Sequence, residues 1–223
     1  MIIRLHPVRG NDLVVKKSRL HTFETSTVYN AEITAGSLLL RESRVIVRLL
    51  RQGVDSTEWK RAIVVENVLQ KTSPASAIRM ARLLKNRLAP MHFEFWEMIA
   101  EGTTEVSIQS LMAAAIKHSR LLGDFMLQVL RRHYLEFNKR LLSREWDAFL
   151  VDCEHVDPAV KNWSVSTRNK AGQVVLRILA EAGYLENTQS LVLQTVSIAP
   201  EVSKFLHSRN EDYVLRCMEV ANG

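Results

Sequence analysis

The stretch Leu111-Met112-Ala113-Ala114-Ala115-Ile116 is almost wholly apolar and contains no helix breaker. A surface helix shows one apolar stripe, whereas a helix that is apolar all round has to be buried on every side. The run therefore predicts a central buried helix, over about 104–118, with the rest of the chain wrapped around it. The wrapping is helical too. Gly (8) and Pro (5) are scarce in 223 residues, and long stretches carry the 3.6-residue period.

Before the central helix, a helix is expected over about 37–51, stopped by Gly53. Asp55 or Ser56 caps a second, carrying Trp59, Ile63, Val64 and Leu69. Ser73-Pro74 is an N-cap followed by a first-turn proline and opens a third, over about 74–88. One more is expected at about 91–100. After the central helix come helices at about 121–141 and 143–155, a short one from Asp157-Pro158 to about Trp163, and a long one over about 166–182 that ends at Gly183.

Tyr184-Leu185-Glu186 and Leu191-Val192-Leu193-Gln194 flank the polar turn 187–190 and read as a short β-hairpin. Helix, short helix, long helix, hairpin is the order of a winged helix-turn-helix. Two helices close the chain, one from Pro200 and one over 210–221. The fold class expected is mainly α, with two packed helical groups, the C-terminal one winged-helix-like. The divisions are a weakly structured arm over 1–35, a helical bundle over 36–142 and a winged-helix-like unit over 143–223.

Composition narrows the function classes. Apolar residues are 47% and charged residues 24%, which excludes a disordered or low-complexity chain. The two cysteines, Cys153 and Cys217, exclude a disulfide scaffold and a four-cysteine zinc site, and fit reduced thiols. No segment has the length and apolarity of a membrane span, and the start lacks a signal-peptide core. A cytoplasmic protein is expected, with no membrane partner.

Enzyme signatures are missing: no glycine-rich phosphate loop, no His-Glu-x-x-His, no nucleophile elbow. No enzymatic activity, catalytic residue, cofactor or metal is expected. Asp152, Glu154, His155 and Asp157 group four possible cation ligands within six residues. Neighbours on a helix do not converge on one ion, so they are read as a polar helix end and the cap of the next helix.

The charge pattern is more informative. The formal charge is +6, with 30 Lys/Arg against 24 Asp/Glu. Residues 151–223 hold seven Lys/Arg and nine Asp/Glu, so the excess lies in the first 150. Arg41, Arg44, Arg48 and Arg51 fall within roughly 80° of one another on a helical wheel. Arg79, Arg82 and Lys85 repeat the pattern on the third helix, as do Arg131, Arg132, Lys139, Arg140 and Arg144 further on. Guanidinium stripes of this kind suit a phosphate backbone.

On the helix over 166–182, Lys170, Gln173 and Arg177 lie opposite the apolar arc and suit groove contacts, with Arg168 near a phosphate-facing N-terminus. Double-stranded DNA is the partner expected. Aromatic residues are 7% and mostly at apolar helical positions, which places RNA second, since RNA recognition leans on exposed stacking rings. A protein scaffold is the remaining alternative.

Several blocks also resemble one known family. They are Tyr29-Asn30-Ala31-Glu32-Ile33-Thr34-Ala35-Gly36-Ser37-Leu38-Leu39-Leu40-Arg41-Glu42-Ser43-Arg44, Trp59 with Glu66-Asn67-Val68-Leu69-Gln70-Lys71, and Ser73-Pro74-Ala75-Ser76 leading to Arg87-Leu88. Lys117-His118-Ser119-Arg120-Leu121-Leu122-Gly123-Asp124-Phe125 and Trp163 to Leu185 complete the set. Together they are similar to BrxA, the small protein of BREX (bacteriophage exclusion) phage-defence systems, over about 29–207.

The resemblance implies an all-helical protein of two helical groups, likened to the NusB anti-termination fold. It also implies double-stranded DNA binding through a basic groove, and a cassette that includes a methyltransferase and an ATPase as possible partners. The family brings no catalytic residues to carry over.

Overall fold

The structure is a computed structural model that describes residues 28–221. It is mainly helical. Thr104–His118 (α5) is buried almost all round, from Val106 to Ile116 with Ile108 half-exposed. Around it pack Leu40–Gln52 (α1), Pro74–Leu88 (α3), Phe93–Glu101 (α4), Arg120–Phe125 (α6), Pro200–Ser208 (α10) and Asp212–Met218 (α11). One apolar core therefore runs from Tyr29 to Val220. Among the described residues no helix is long and apolar enough to cross a membrane.

Local chemistry sets most helix ends. Asp55 opens Ser56–Lys60 (α2) with a capping box, its carboxylate accepting from Thr57 and Glu58 while Glu58 reaches back to its amide. Ser73 caps α3 ahead of Pro74. Ser164 caps Val165–Glu181 (α9). Gly53 (φ 63°) and Gly183 (φ 82°) supply the left-handed stops. α1 begins three residues later than its periodicity suggests, because Leu39 is itself left-handed (φ 55°).

Three expectations give way to tertiary contacts. The second helix turns π-helical over Arg61–Val65 and ends, leaving Leu69 outside it. The helix expected to reach 141 continues from α6 through a π turn at Met126–Leu130 into Arg131–Leu135 (α7) and stops there. Residues 28–35 of the expected arm are docked: Ala31–Ala35 forms a 3₁₀ turn against α9, and Tyr29 and Ile33 are buried. The rest of that arm lies outside the described residues.

The winged hairpin is not built. Only isolated antiparallel bridges form there among the described residues, Leu185 with Leu193 and Arg140 with Val192. Leu191 is left-handed (φ 51°), and the 191–194 edge is shared: Glu186 N donates to Val192 O (2.9 Å) and Gln194 N to Tyr184 O (3.0 Å), while Leu193 N donates to Lys139 O (2.9 Å) and Leu141 N to Leu191 O (3.0 Å). Beyond Gln194, the Gln109 side chain draws the chain to α5. Its amide donates to Ser197 O (2.8 Å) and accepts from Ala199 N (2.7 Å). The bridges stay isolated, so no regular two-stranded wing forms among the described residues.

Glu145–Val156 (α8) and the Pro158–Asn162 3₁₀ turn lead into α9. Gly172 lets α9 approach Trp146, where a Cβ would fall 2.7 Å from the indole nitrogen.

A buried guanidinium ties the chain entry to this frame. Arg87 is 4% exposed; it donates to Ser37 O (2.6 Å) and Gly36 O (2.9 Å). Burial pulls its pKa down to about 10, against the carboxylates of Glu181 and Glu32, so it stays charged at neutral pH. Glu181 in turn accepts from Ser37 Oγ and Leu38 N. Arg87→Ala would leave two buried carbonyls and a carboxylate without their cation. It should lower unfolding stability by about 3 kcal/mol in a urea titration.

Candidate nucleic-acid interface

The α1 stripe does not present four equivalent guanidinium groups. Arg41 is exposed and bonded to Gln70 Oε1. Arg44 is half-buried: its Nε donates to Ile99 O (3.1 Å), and its Nη2 to Gly102 O (3.2 Å) and Ser107 Oγ (3.0 Å). Gly102 leaves α4 in an extended conformation, so the helix-end carbonyls need outside donors, and the guanidinium fork supplies them. Arg44 is thus structural rather than phosphate-facing. Arg48 is exposed with no ion-pair partner among the described residues. Arg51 pairs with Glu101 (2.9 Å) and lies 5.7 Å from the Phe93 ring centroid.

The outer face of α3 is more open. Arg79 and Arg82 are exposed and have no ion-pair partner among the described residues. They line a polar hollow of about 240 Å³ with Thr34, Asn86 and Glu32. The Glu32 carboxylate is engaged with His118 Nε2 at 3.0 Å. Burial and the nearby Arg87 hold the His118 pKa below the usual imidazole range.

Lys85 sits 4.5 Å above the Trp59 ring, an ammonium-π contact. From Arg79 to Lys85 is six residues, or about 9 Å of helix. Beside them a second groove of about 330 Å³ is lined by Trp59, Ile63, Val64, Ile78 and Ala81 and edged by Lys60, Arg82 and Lys85.

α9 also divides its polar residues. Arg168 bonds Glu154 Oε1 (2.5 Å), Val160 O (3.1 Å) and Trp163 O (3.3 Å), fastening the 3₁₀ turn to α8, so it too is structural. Ser164 already caps the helix and meets the hydroxyls of Ser166 and Thr167 at 2.9 Å. Lys170, Gln173 and Arg177 are exposed along the face opposite the buried Ala171, Val174, Val175 and Ile178.

The acidic group near 152–157 disperses. Glu154 serves Arg168, and Asp157 accepts from Ala159 N and Tyr29 N, while Asp152 and His155 are exposed. No cluster of three or more metal-ligating side chains occurs among the described residues.

A family model described as BrxA matches residues 27–210. The chain belongs to the BrxA family. Curated BrxA relatives include the "BREX protein BrxA" of Paramagnetospirillum magneticum (strain ATCC 700264 / AMB-1), 46% identical over 193 residues, covering 86% of this chain and 97% of that one. The protein of the same name from Escherichia coli O9:H4 (strain HS) is 31% identical and covers 84% and 88%. A crystal structure described as an uncharacterized protein from Magnetospirillum magneticum superposes with a TM-score of 0.80 at 44% identity, covering 86% of this chain and 99% of that one.

In this BrxA family member, sequence reasoning found the basic faces but did not separate their two uses. Arg44 and Arg168 carry buried carbonyls or acids, and their neighbours on the same helices do not. Arg44→Ala should cost about 2 kcal/mol in chemical denaturation, because the α4 carbonyls lose their donors. Arg48→Ala should stay within about 0.5 kcal/mol of wild type in the same measurement.

Proposed function

We propose that the protein is a non-enzymatic, double-stranded DNA-binding component of a BREX phage-defence system. It binds mainly the phosphate backbone. The observation that carries this reading is the outer face of α3, where Arg79 and Arg82 flank a polar hollow without ion-pair partners among the described residues. Cations left unpaired and solvent-facing on one helix are available to phosphates, and each phosphate neutralised adds to the salt dependence of binding.

Arg48 on α1 and Lys170 and Arg177 on α9 extend the set of exposed cations, and Gln173 adds a hydrogen-bonding group for a groove edge. Arg41, Arg51 and Lys85 act as secondary contacts, since each already has a side-chain partner. Arg44 and Arg168 are outside the phosphate set.

A protein-docking role is the second reading, and the Trp59 groove favours it. Ile78 is 50% exposed at that apolar groove, whose edge is cationic, and an exposed apolar groove of this kind suits a protein partner.

The double variant Arg79→Gln/Arg82→Gln tests the first reading. It should keep the wild-type melting temperature within about 2 °C, since both side chains are exposed. Duplex affinity should fall, and the slope of log K against log salt should become shallower by about two. An unchanged affinity and slope would remove α3 from the interface.

A further inference from the structure

An aromatic ring that the core does not use lies within the third basic stretch of the sequence, 131–144. α7 ends at Leu135, Glu136 leaves the helical region, and Phe137 turns left-handed (φ 57°) with 90% of its surface exposed. A bulky side chain rarely adopts that backbone conformation unless its surroundings impose it.

Here they do. Phe137 N donates to Tyr134 O (3.2 Å) and Asn138 N to His133 O (2.9 Å). Asn138 Nδ2 bonds Glu136 Oε2 (2.9 Å), Lys139 O accepts from Leu193 N, Leu141 N donates to Leu191 O, and Leu142 N bonds Glu145 Oε2 (2.7 Å). The backbone is thus fastened before, at and after the ring. Phe137 is held out into solvent by a pinned loop.

The chain on either side is rich in exposed cations, with Glu136 the acid beside the ring. Arg131, Lys139, Arg140 and Arg144 are exposed, without ion-pair partners among the described residues, while Arg132 is taken by Glu145 (3.0 Å). Phe137, Tyr134 and Lys139 line one shallow hollow of about 380 Å³ with Val192 and Thr195. An outward ring that shares a hollow with Lys139 and stands three residues from the exposed Arg140 matches a polyanion that also offers flat apolar faces, which is the chemistry of nucleic-acid bases and their phosphates.

We propose that Phe137 is a wedge that stacks against a base at a deformable duplex step while Lys139 and Arg140 hold the flanking phosphates. This rests on the DNA-binding reading above and adds a base-contacting residue to it. The cationic residues set affinity for any sequence. The ring adds a preference for steps that unstack easily, such as TA or a mismatch.

The experiment uses the full chain and a short duplex carrying 2-aminopurine at a central TA step, with an A-tract duplex for comparison. Wild type should raise the 2-aminopurine fluorescence and bind the TA duplex more tightly than the A-tract. Phe137→Ala should lose the fluorescence rise and bind the TA duplex about 10-fold more weakly, with an unchanged salt slope and native circular dichroism. Phe137→Trp should restore both signals.

Wild-type behaviour of Phe137→Ala in both readouts would overturn the wedge and leave the basic-surface reading standing. Absence of any duplex binding by wild type at low salt would overturn both. A loss in Phe137→Ala that follows a change of oligomeric state in sedimentation would overturn the wedge in favour of a contact between copies of the chain.

Discussion

A helix buried on every side cannot be satisfied by one neighbour, and α5 imposes that demand on the whole chain. Its apolar side chains are enclosed by helices from both ends of the sequence, with α1, α3 and α4 before it and α6, α10 and α11 after it. Ser107 and Gln109 are enclosed with them, so each has to find a partner inside. Ser107 Oγ lies 3.2 Å from Met98 O and 3.1 Å from Ile99 O at the end of α4, and Gln109 takes the backbone at 197 and 199. The polar contacts of α5 thereby fix where α4 stops and where the C-terminal segment crosses.

The same enclosure divides the arginines. A guanidinium carries five donors in a rigid fork, so it suits a site where several carbonyls converge below the surface. Arg44, Arg87 and Arg168 occupy such sites, each at a helix end or turn. Arg48, Arg79, Arg82 and Arg177 stand one or two turns away on faces with no carbonyls beneath them, and they remain in water. Asp124 is the acidic counterpart: buried, it accepts from Tyr29, Arg120 and Tyr213 and locks the chain entry to α6 and α11. What stays outside is a surface with unpaired positive charge, although the arginine count would suggest more.

Much of this was readable from local sequence. The apolar run at 111–116, the cap at Asp55 or Ser56, Ser73-Pro74 and the glycines at 53 and 183 act over a few residues, and the helix ends they mark lie close to where the pattern puts them. Arg44 and Arg48 share one face by helical angle. What separates them is the end of α4, some fifty residues away, which no local pattern encodes. Tyr184–Glu186 and 191–194 look like two strands locally and do bond across their turn, but the 139–141 segment, distant in sequence, joins the same edge and only isolated bridges result. α7 ends early, at Leu135, and leaves Phe137 exposed. Apolar and basic residues continue at helical spacing through 141, so the sequence gives no signal of the break.

DNA binding of this kind depends on unpaired surface cations meeting phosphates. Its most direct test is a salt series of wild-type affinity for a duplex DNA and a duplex RNA of the same sequence. Some five phosphate contacts correspond to a slope of log K against log salt of about −4 to −5, a loss of roughly 100-fold or more between 50 and 200 mM salt. That steep loss on DNA, with weaker RNA binding throughout, is the predicted result. Affinity that does not change with salt, or no binding to DNA at low salt, would contradict it.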